Sequence, residues 1–174
     1  MLSVLLAVYL LACLLSYDPM DPGPFATTAS DQVNNIGRVF GAWLANFFLF
    51  LTGYIGYLLP VAVVYAGWRI HADSEHDGEG QLTEWVIRIS GFVLFVLSST
   101  GLAYLHAQPP VGRMPAGGGG VFGQQVAAPM LDMTGMLGAT LFLLSMMLVG
   151  VTLFTGVSWF RVMDVIGKYT LAGA

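Results

Sequence analysis

The sequence predicts an all-α integral membrane protein: four transmembrane helices, interfacial or re-entrant helices in the periplasmic loops, and a C-terminal amphipathic helix. Three observations predict it. Apolar residues make up 56% of the 174 and charged residues only 9%, where soluble domains carry about 25% charged residues. A chain so poor in charge cannot cover a globular surface with polar groups. No residue between Arg38 and Arg69 carries a formal charge; as one helix the run from Phe40 to Ile70 would be roughly 45 Å long, more than a hydrocarbon core of about 30 Å requires. Of the polar stretches between the apolar runs, the two longer ones, Ser16 to Asn35 and His106 to Asp132, are rich in Pro and Gly, and all read as connections.

The first span, about 1–16, is MLSVLLAVYLLACLL and its edge. A cleaved signal peptide wants a basic n-region, and none is present. Leu10-Leu11-Ala12-Cys13 is only a loose match to a lipoprotein junction. A short transmembrane helix is the preferred reading, with a natural chain that begins earlier as its corollary. Cys13 is the single cysteine, so no intrachain disulfide forms.

Ser16 to Asn35 follows. Pro19, Pro22, Gly23 and Pro24 rule out a regular helix there. Asp18 and Asp21 suggest a cation site or, more simply, a solvated turn in which acidic side chains cap backbone N–H groups.

The run after Asn34-Asn35 is longer than a span needs, and its glycines account for the excess. An interfacial helix is predicted over about 33–51, then a turn or kink near Gly53, then a span over about 52–70; the alternative is a single tilted, kinked helix. Pro60 lacks one backbone donor and clashes with a preceding turn. Trp43, Tyr54, Tyr57 and Trp68 suit headgroup depth. Gly37 and Gly41 form a GxxxG, a helix–helix contact motif.

His71 to Gln81, HADSEHDGEGQ, reads as a solvated loop. His71 and His76 are five apart and do not share a helix face as ligands at i, i+4 would. The next span, about 85–105, begins with Glu84 and Arg88, spaced to pair along one helix face while Arg88 snorkels to the interface. His106 to Asp132 is a second connection. Gly117 to Gly120 lacks the Lys-Ser or Lys-Thr that a phosphate loop needs and reads as a flexible joint. A short amphipathic helix over about 121–131 ends at Pro129. The last span covers about 134–157. An interfacial helix over about 158–171 carries Arg161, Asp164 and Lys168 on one face, with Trp159 at its start.

Four spans bring both ends to one side. With that side cytoplasmic, Arg69, Arg88, Arg161 and Lys168 face in and Arg38 and Arg113 face out, in keeping with the positive-inside rule. A net charge of -4 offers no basic footprint for nucleic acid. No Ser-His-Asp pattern, HExxH or P-loop is present, so the residues indicate no catalytic activity, metal or cofactor. What remains is a multi-span anchor suited to holding partners. The competing reading is a small channel or transporter subunit with Asn46, Ser98, Ser99 and Thr100 facing one cavity.

The ordered motifs resemble those of a known family. Ser16-Tyr17-Asp18-Pro19-Met20-Asp21-Pro22 is similar to its Ser-aromatic-x-Pro-x-Asp-Pro loop. Asn35-Ile36-Gly37, Gly41-Ala42-Trp43-Leu44-Ala45, Gly53-Tyr54, Tyr57-Leu58-Leu59-Pro60 and Gly67-Trp68-Arg69 continue the pattern. So do Gly118-Gly119-Gly120-Val121-Phe122-Gly123 and, most specifically, the stretch GVTLFTGVSW from Gly150 to Trp159. In these residues the chain resembles the N-terminal four-helix membrane domain of the FtsK/SpoIIIE family of bacterial cell-division DNA translocases. The resemblance implies a multi-pass domain of the bacterial inner membrane at the division septum, with both termini cytoplasmic. It implies homo-oligomerisation, a hexamer by analogy with the family's motor, and contacts with other septal division proteins. DNA and ATP would be handled only by a C-terminal motor that these residues do not include. Gly23 stands where the family often has Ser, and the loop from His71 to Gln81 matches none of its motifs.

Overall fold

A computed structural model describes residues 1–26, 32–73, 81–110, 112–156 and 168. Its elements are all helical among the described residues: α1 (Leu2–Leu15), α2 (Arg38–Thr52), a 3₁₀ segment (Gly53–Leu58), α3 (Leu59–Asp73), α4 (Gln81–His106) and α5 (Gly120–Thr155). Three helical stretches are long and apolar enough to cross a membrane, namely Arg38–Arg69, Leu82–His106 and Gly120–Thr155; Leu2–Leu15 is apolar but shorter. Large apolar side chains face outward along them, Leu5 at 68% and Leu137 at 75% exposed. That exterior suits lipid and would be unfavourable in water.

The run from Phe40 to Ile70 is not one unbroken helix. It breaks at Gly53, where φ is 56° and ψ is -135°, a backbone conformation open essentially to glycine. A tight 3₁₀ segment then leads into α3, so the regular helix of the second half begins at Leu59. Pro60 is buried at the second position of α3. In a first turn its missing N–H leaves no bond unmade, which is why it opens the helix instead of kinking it. At the other end α2 starts at Arg38, later than the expected 33, because Asn34 and Asn35 are held in the preceding loop.

The second half departs further from expectation. The helix expected over 121–131 does not end at Pro129, which lies inside α5. The break comes at Gly135, with φ 69° and ψ 178°, again a region that only glycine occupies readily. A prolyl ring removes one helical donor, but an apolar segment held by neighbouring helices tolerates that; the side-chain-free backbone of Gly135 is what allows the reversal. The expected 134–157 span is thus the arm of α5 after Gly135, ending at Thr155 with Gly156 in the left-handed conformation.

The two halves follow one plan: a helix, a Pro- and Gly-rich loop, a helix of about four turns, a positive-φ glycine, and a returning helix. Packing orders them. Gly37 and Gly41 lie against Cys13, and Leu10, Leu14, Ala45 and Leu49 form a buried cluster, so α2 crosses the C-terminal half of α1. Gly67 sits against Ser3, which makes α3 antiparallel to α1. The arm of α5 after Gly135 runs antiparallel to α4: Thr140 bonds His106 at 2.9 Å, Leu143 packs on Gly101, and Gly150 and Gly91 abut Phe95 and Leu153. A Cβ on Gly91 would lie 2.6 Å from that of Leu153 and one on Gly150 2.6 Å from the Phe95 nitrogen. Small residues here let the two backbones approach, the usual basis of helix association in lipid. Ser16, the loop residues 107–110 and 112–119, and the 3₁₀ segment gather at one end of the bundle, the loop end; Arg69 and Arg88 mark the other, the arginine end.

Candidate functional site

The loop after α1 is held by buried polar groups. Asp21 is 3% exposed. One of its carboxylate oxygens accepts the Asn34 N–H at 2.7 Å and the other the Asn35 N–H at 2.9 Å. Asn35, 2% exposed, donates from Nδ2 to the carbonyls of Cys13 at 2.7 Å and Ser16 at 3.3 Å, and its Oδ1 accepts the Gly37 N–H at 2.9 Å. The orphan carbonyls at the end of α1 thereby find donors. Asn46 of α2 accepts the Phe25 N–H at 3.0 Å, and the Phe25 ring stacks on Phe50 with centroids 4.0 Å apart. The expected solvated turn is therefore in part a buried knot. The acidic side chains do cap backbone N–H groups, but Asp21 does so in the interior, where an unmet donor would be costly. Asp18 is the half-buried member. Its oxygens accept the Met20 N–H at 2.9 Å and the Asn34 Nδ2 at 2.9 Å. Those bonds, the backbone one foremost, hold its carboxyl below the ordinary carboxylate range.

Three of the four glycines expected to form a flexible joint, Gly118, Gly119 and Gly120, are wedged against neighbouring backbone, whereas Gly117 stands in open space. The Tyr54 N–H donates to the Gly118 carbonyl at 2.8 Å. A Cβ on Gly53 would fall on that same carbonyl, one on Gly118 on the Ala107 carbonyl, and ones on Gly119 and Gly123 on the Thr100 carbonyl. A Cβ on Gly120 would lie 2.5 Å from the Leu51 carbonyl oxygen. The loop before α5 thus fills the space between the Gly53 break and the end of α4 with backbone alone.

The residues singled out in the sequence distribute between the two ends. Trp43 and Trp68 are exposed, at 53% and 60%. Tyr54 is half-buried at the wedge, and Tyr57 packs on the Leu10–Leu49 cluster. Gly37 and Gly41 spend their close approach on Cys13 of the same chain. Arg69 and Arg88 line one groove between α3 and α4, and Arg88 pairs with Glu84 at 3.4 Å. Trp159 and Arg161, with the expected 158–171 helix apart from Lys168, lie outside the described residues, as does most of the loop from His71 to Gln81. Sequence reasoning passed over Asp21, Asn35 and Gly118 as site residues. The available signal was their position: polar or glycine residues at the seams between apolar runs.

Asn46, Ser98, Ser99 and Thr100 are all buried, and none of them lines the pockets between α3 and α4. Ser98 and Thr100 donate to their own helix at Leu94 and Leu97, at 2.6 and 2.9 Å, and Asn46 serves the first loop. Among the described residues no group of three or more His, Cys, Asp or Glu is placed to hold a metal.

Membrane-length helices, an apolar exterior and buried polar bonds devoted to loop geometry define a multi-pass helical membrane domain. The description "4TM region of DNA translocase FtsK/SpoIIIE" matches residues 1–167. Similar proteins include the DNA translocase FtsK of Pseudomonas putida, 36% identical over 168 residues and covering 95% of this chain and 20% of the relative. That of Pseudomonas aeruginosa is 34% identical over 168 residues, covering 95% and 21%; that of Vibrio vulnificus is 34% identical over 170 residues, covering 98% and 17%. The chain belongs to the FtsK/SpoIIIE 4TM family, as the ordered motifs indicated. It spans about a fifth of the length of the curated relatives it matches. No solved structure matches it.

Proposed function

We propose that this chain anchors a cell-division DNA translocase in the inner membrane and acts as a scaffold for other division proteins at the septum, working as an oligomer. The family match over residues 1–167 carries the reading. The relatives are named DNA translocases, and the chain corresponds to only about a fifth of their length. The partner-facing surface is the loop end: the Asp21 and Gly118 clasps give it a defined shape, and Ile36, Phe40 and Trp43 stand exposed beside them, at 74%, 66% and 53%. Trp43, Trp68, Arg69 and Arg88 act as interfacial anchors. Both termini are cytoplasmic and the loop end is periplasmic.

A fluorescent fusion of the chain concentrates at the septum and co-purifies with septal membrane proteins; even spread over the membrane with no such partner overturns the proposal. Orientation is tested with Thr27→Cys and Ser74→Cys in intact cells. Labelling of the first alone is expected, and labelling of Ser74→Cys alone would invert the topology.

A further inference from the structure

Between α3 and α4 lies a groove of about 280 Å³, lined by Leu59, Ala62, Tyr65, Arg69, Arg88 and Phe92 among others, and walled at its side by Phe154. A second pocket of about 260 Å³ adjoins it and shares Leu59, Ala62, Tyr65, Phe92 and Phe154 while reaching Leu58 and Val96. Phe154 closes the back, with its ring 4.8 Å from Tyr65 and 5.2 Å from Phe92. Apart from the two arginines the lining is apolar. Along α3 the two pockets run from Arg69 to Leu59, about 15 Å of helix rise, or roughly half of a 30 Å hydrocarbon core. The groove is one leaflet deep, with its cations only at the arginine end.

We propose that this groove holds one anionic phospholipid, its acyl chains between α3 and α4 and its phosphate against the guanidinium groups of Arg69 and Arg88. Arg88 uses Nη2 for Glu84 at 3.4 Å, while its buried Nη1 has no hydrogen-bond partner among the described residues. A buried charged donor without an acceptor is costly, and a phosphate oxygen at the groove mouth supplies one in the geometry guanidinium favours. Basic pockets between membrane helices are a known setting for anionic headgroups. The charge, the depth of one leaflet and the nearly uniform apolar walls together select a phospholipid over a polar solute.

The test is native mass spectrometry of the purified chain with dioleoyl phosphatidylglycerol and dioleoyl phosphatidylcholine in equal amounts. One phosphatidylglycerol is retained per chain, about fivefold over phosphatidylcholine. Arg88→Gln lowers that preference towards parity, Arg88→Lys keeps part of it, and Arg113→Gln, at the loop end, leaves it unchanged. Ala62→Phe, which fills the groove, reduces retention of both lipids. Equal retention by the unaltered chain overturns the proposal without reliance on any variant. So does an Ala62→Phe chain that binds as before, or a delipidated dimer that Ala62→Phe dissociates, since a second copy then fills the groove.

Discussion

The backbone N–H of Tyr54 donates to the carbonyl oxygen of Gly118 at 2.8 Å, joining the break in the first half of the chain to the loop that opens the second. The bond depends on Gly53 lacking a Cβ, which would fall on the Gly118 carbonyl itself, while a Cβ on Gly120 would meet the Leu51 carbonyl in return and one on Gly118 would fall on the Ala107 carbonyl at the end of α4. Two membrane hairpins thereby dock backbone to backbone.

Gly53→Ala and Gly118→Ala each destabilise the chain by about 2–4 kcal/mol, combining overpacking with, at Gly53, a positive φ. Gly112→Ala is the control. Its φ of 81° is also positive, but no described atom stands within 4 Å of the added carbon, so only the backbone term of about 1–2 kcal/mol remains. Unfolding midpoints in mixed detergent order the three variants; a Gly112→Ala effect equal to that of Gly118→Ala would refute the wedge.

Asp21→Ala leaves two amide donors without their acceptor, that of Asn35 in a buried site and that of Asn34 in a partly buried one. At about 1–3 kcal/mol for a buried unmet donor and less where water reaches it, the loss is of the order of 1–3 kcal/mol. Proteolysis of the 16–37 loop accelerates, while the α4–α5 pair, which Asp21 does not touch, keeps its protection. Uniform loss of protection across both halves would contradict a local role.

The Asp18 carboxyl is held below its ordinary value in the folded chain. A depressed folded value means that its contribution is present above the unfolded value, about 3.9, and is lost as pH falls through the folded one. The difference in unfolding midpoint between the native chain and Asp18→Asn is therefore constant from pH 7 to about 5 and shrinks to nothing in stronger acid. The effect is small because the group is partly exposed and solvent screens it. A difference that grows towards acid reverses the sign and refutes the assignment.

Gly135 sits in open space, with no described atom within 4 Å of the place a Cβ would take, yet its φ of 69° and ψ of 178° are glycine's own. Gly135→Ala costs about 1–3 kcal/mol from backbone strain alone. Pro129→Ala restores a helical donor within a continuous helix and leaves stability equal or higher. Unfolding midpoints compare them; a larger loss at Pro129 would mean that the proline, not the glycine, sets the bend.

Cys13 is fully buried, against Gly37 and Gly41. A maleimide leaves it unmodified in the folded protein and reacts once after denaturation. Gly41→Ala, whose Cβ would lie 2.7 Å from the Cys13 sulfur, opens this seam and raises the rate of modification. Rapid labelling of the unaltered chain would place α2 elsewhere.

Much of this was legible in advance. The excess length of Phe40–Ile70 and its Gly53 pointed to a break where one exists, and the short first helix was visible in its length. Other features were not legible for definite reasons. Asp21 reads as solvated because its burial depends on Asn34 and Asn35, which lie beyond the turn it sits in. The glycines from Gly117 to Gly120 read as flexible because an isolated glycine run is flexible; here α2, the 3₁₀ segment and α4 confine Gly118, Gly119 and Gly120. Pro129 reads as a stop because local rules outvote neighbours that only the fold supplies.

By itself the sequence determined the class of protein, its membrane-length helices and its family, since these rest on hydropathy, length and motif order, all of which are local. Only the tertiary structure decided which glycines are hinges and which are contacts, which carboxylate is buried, and that Arg69 and Arg88 share one groove. Those facts depend on distances between segments far apart in the chain, and in an apolar sequence with few charges, close packing of small residues sets those distances.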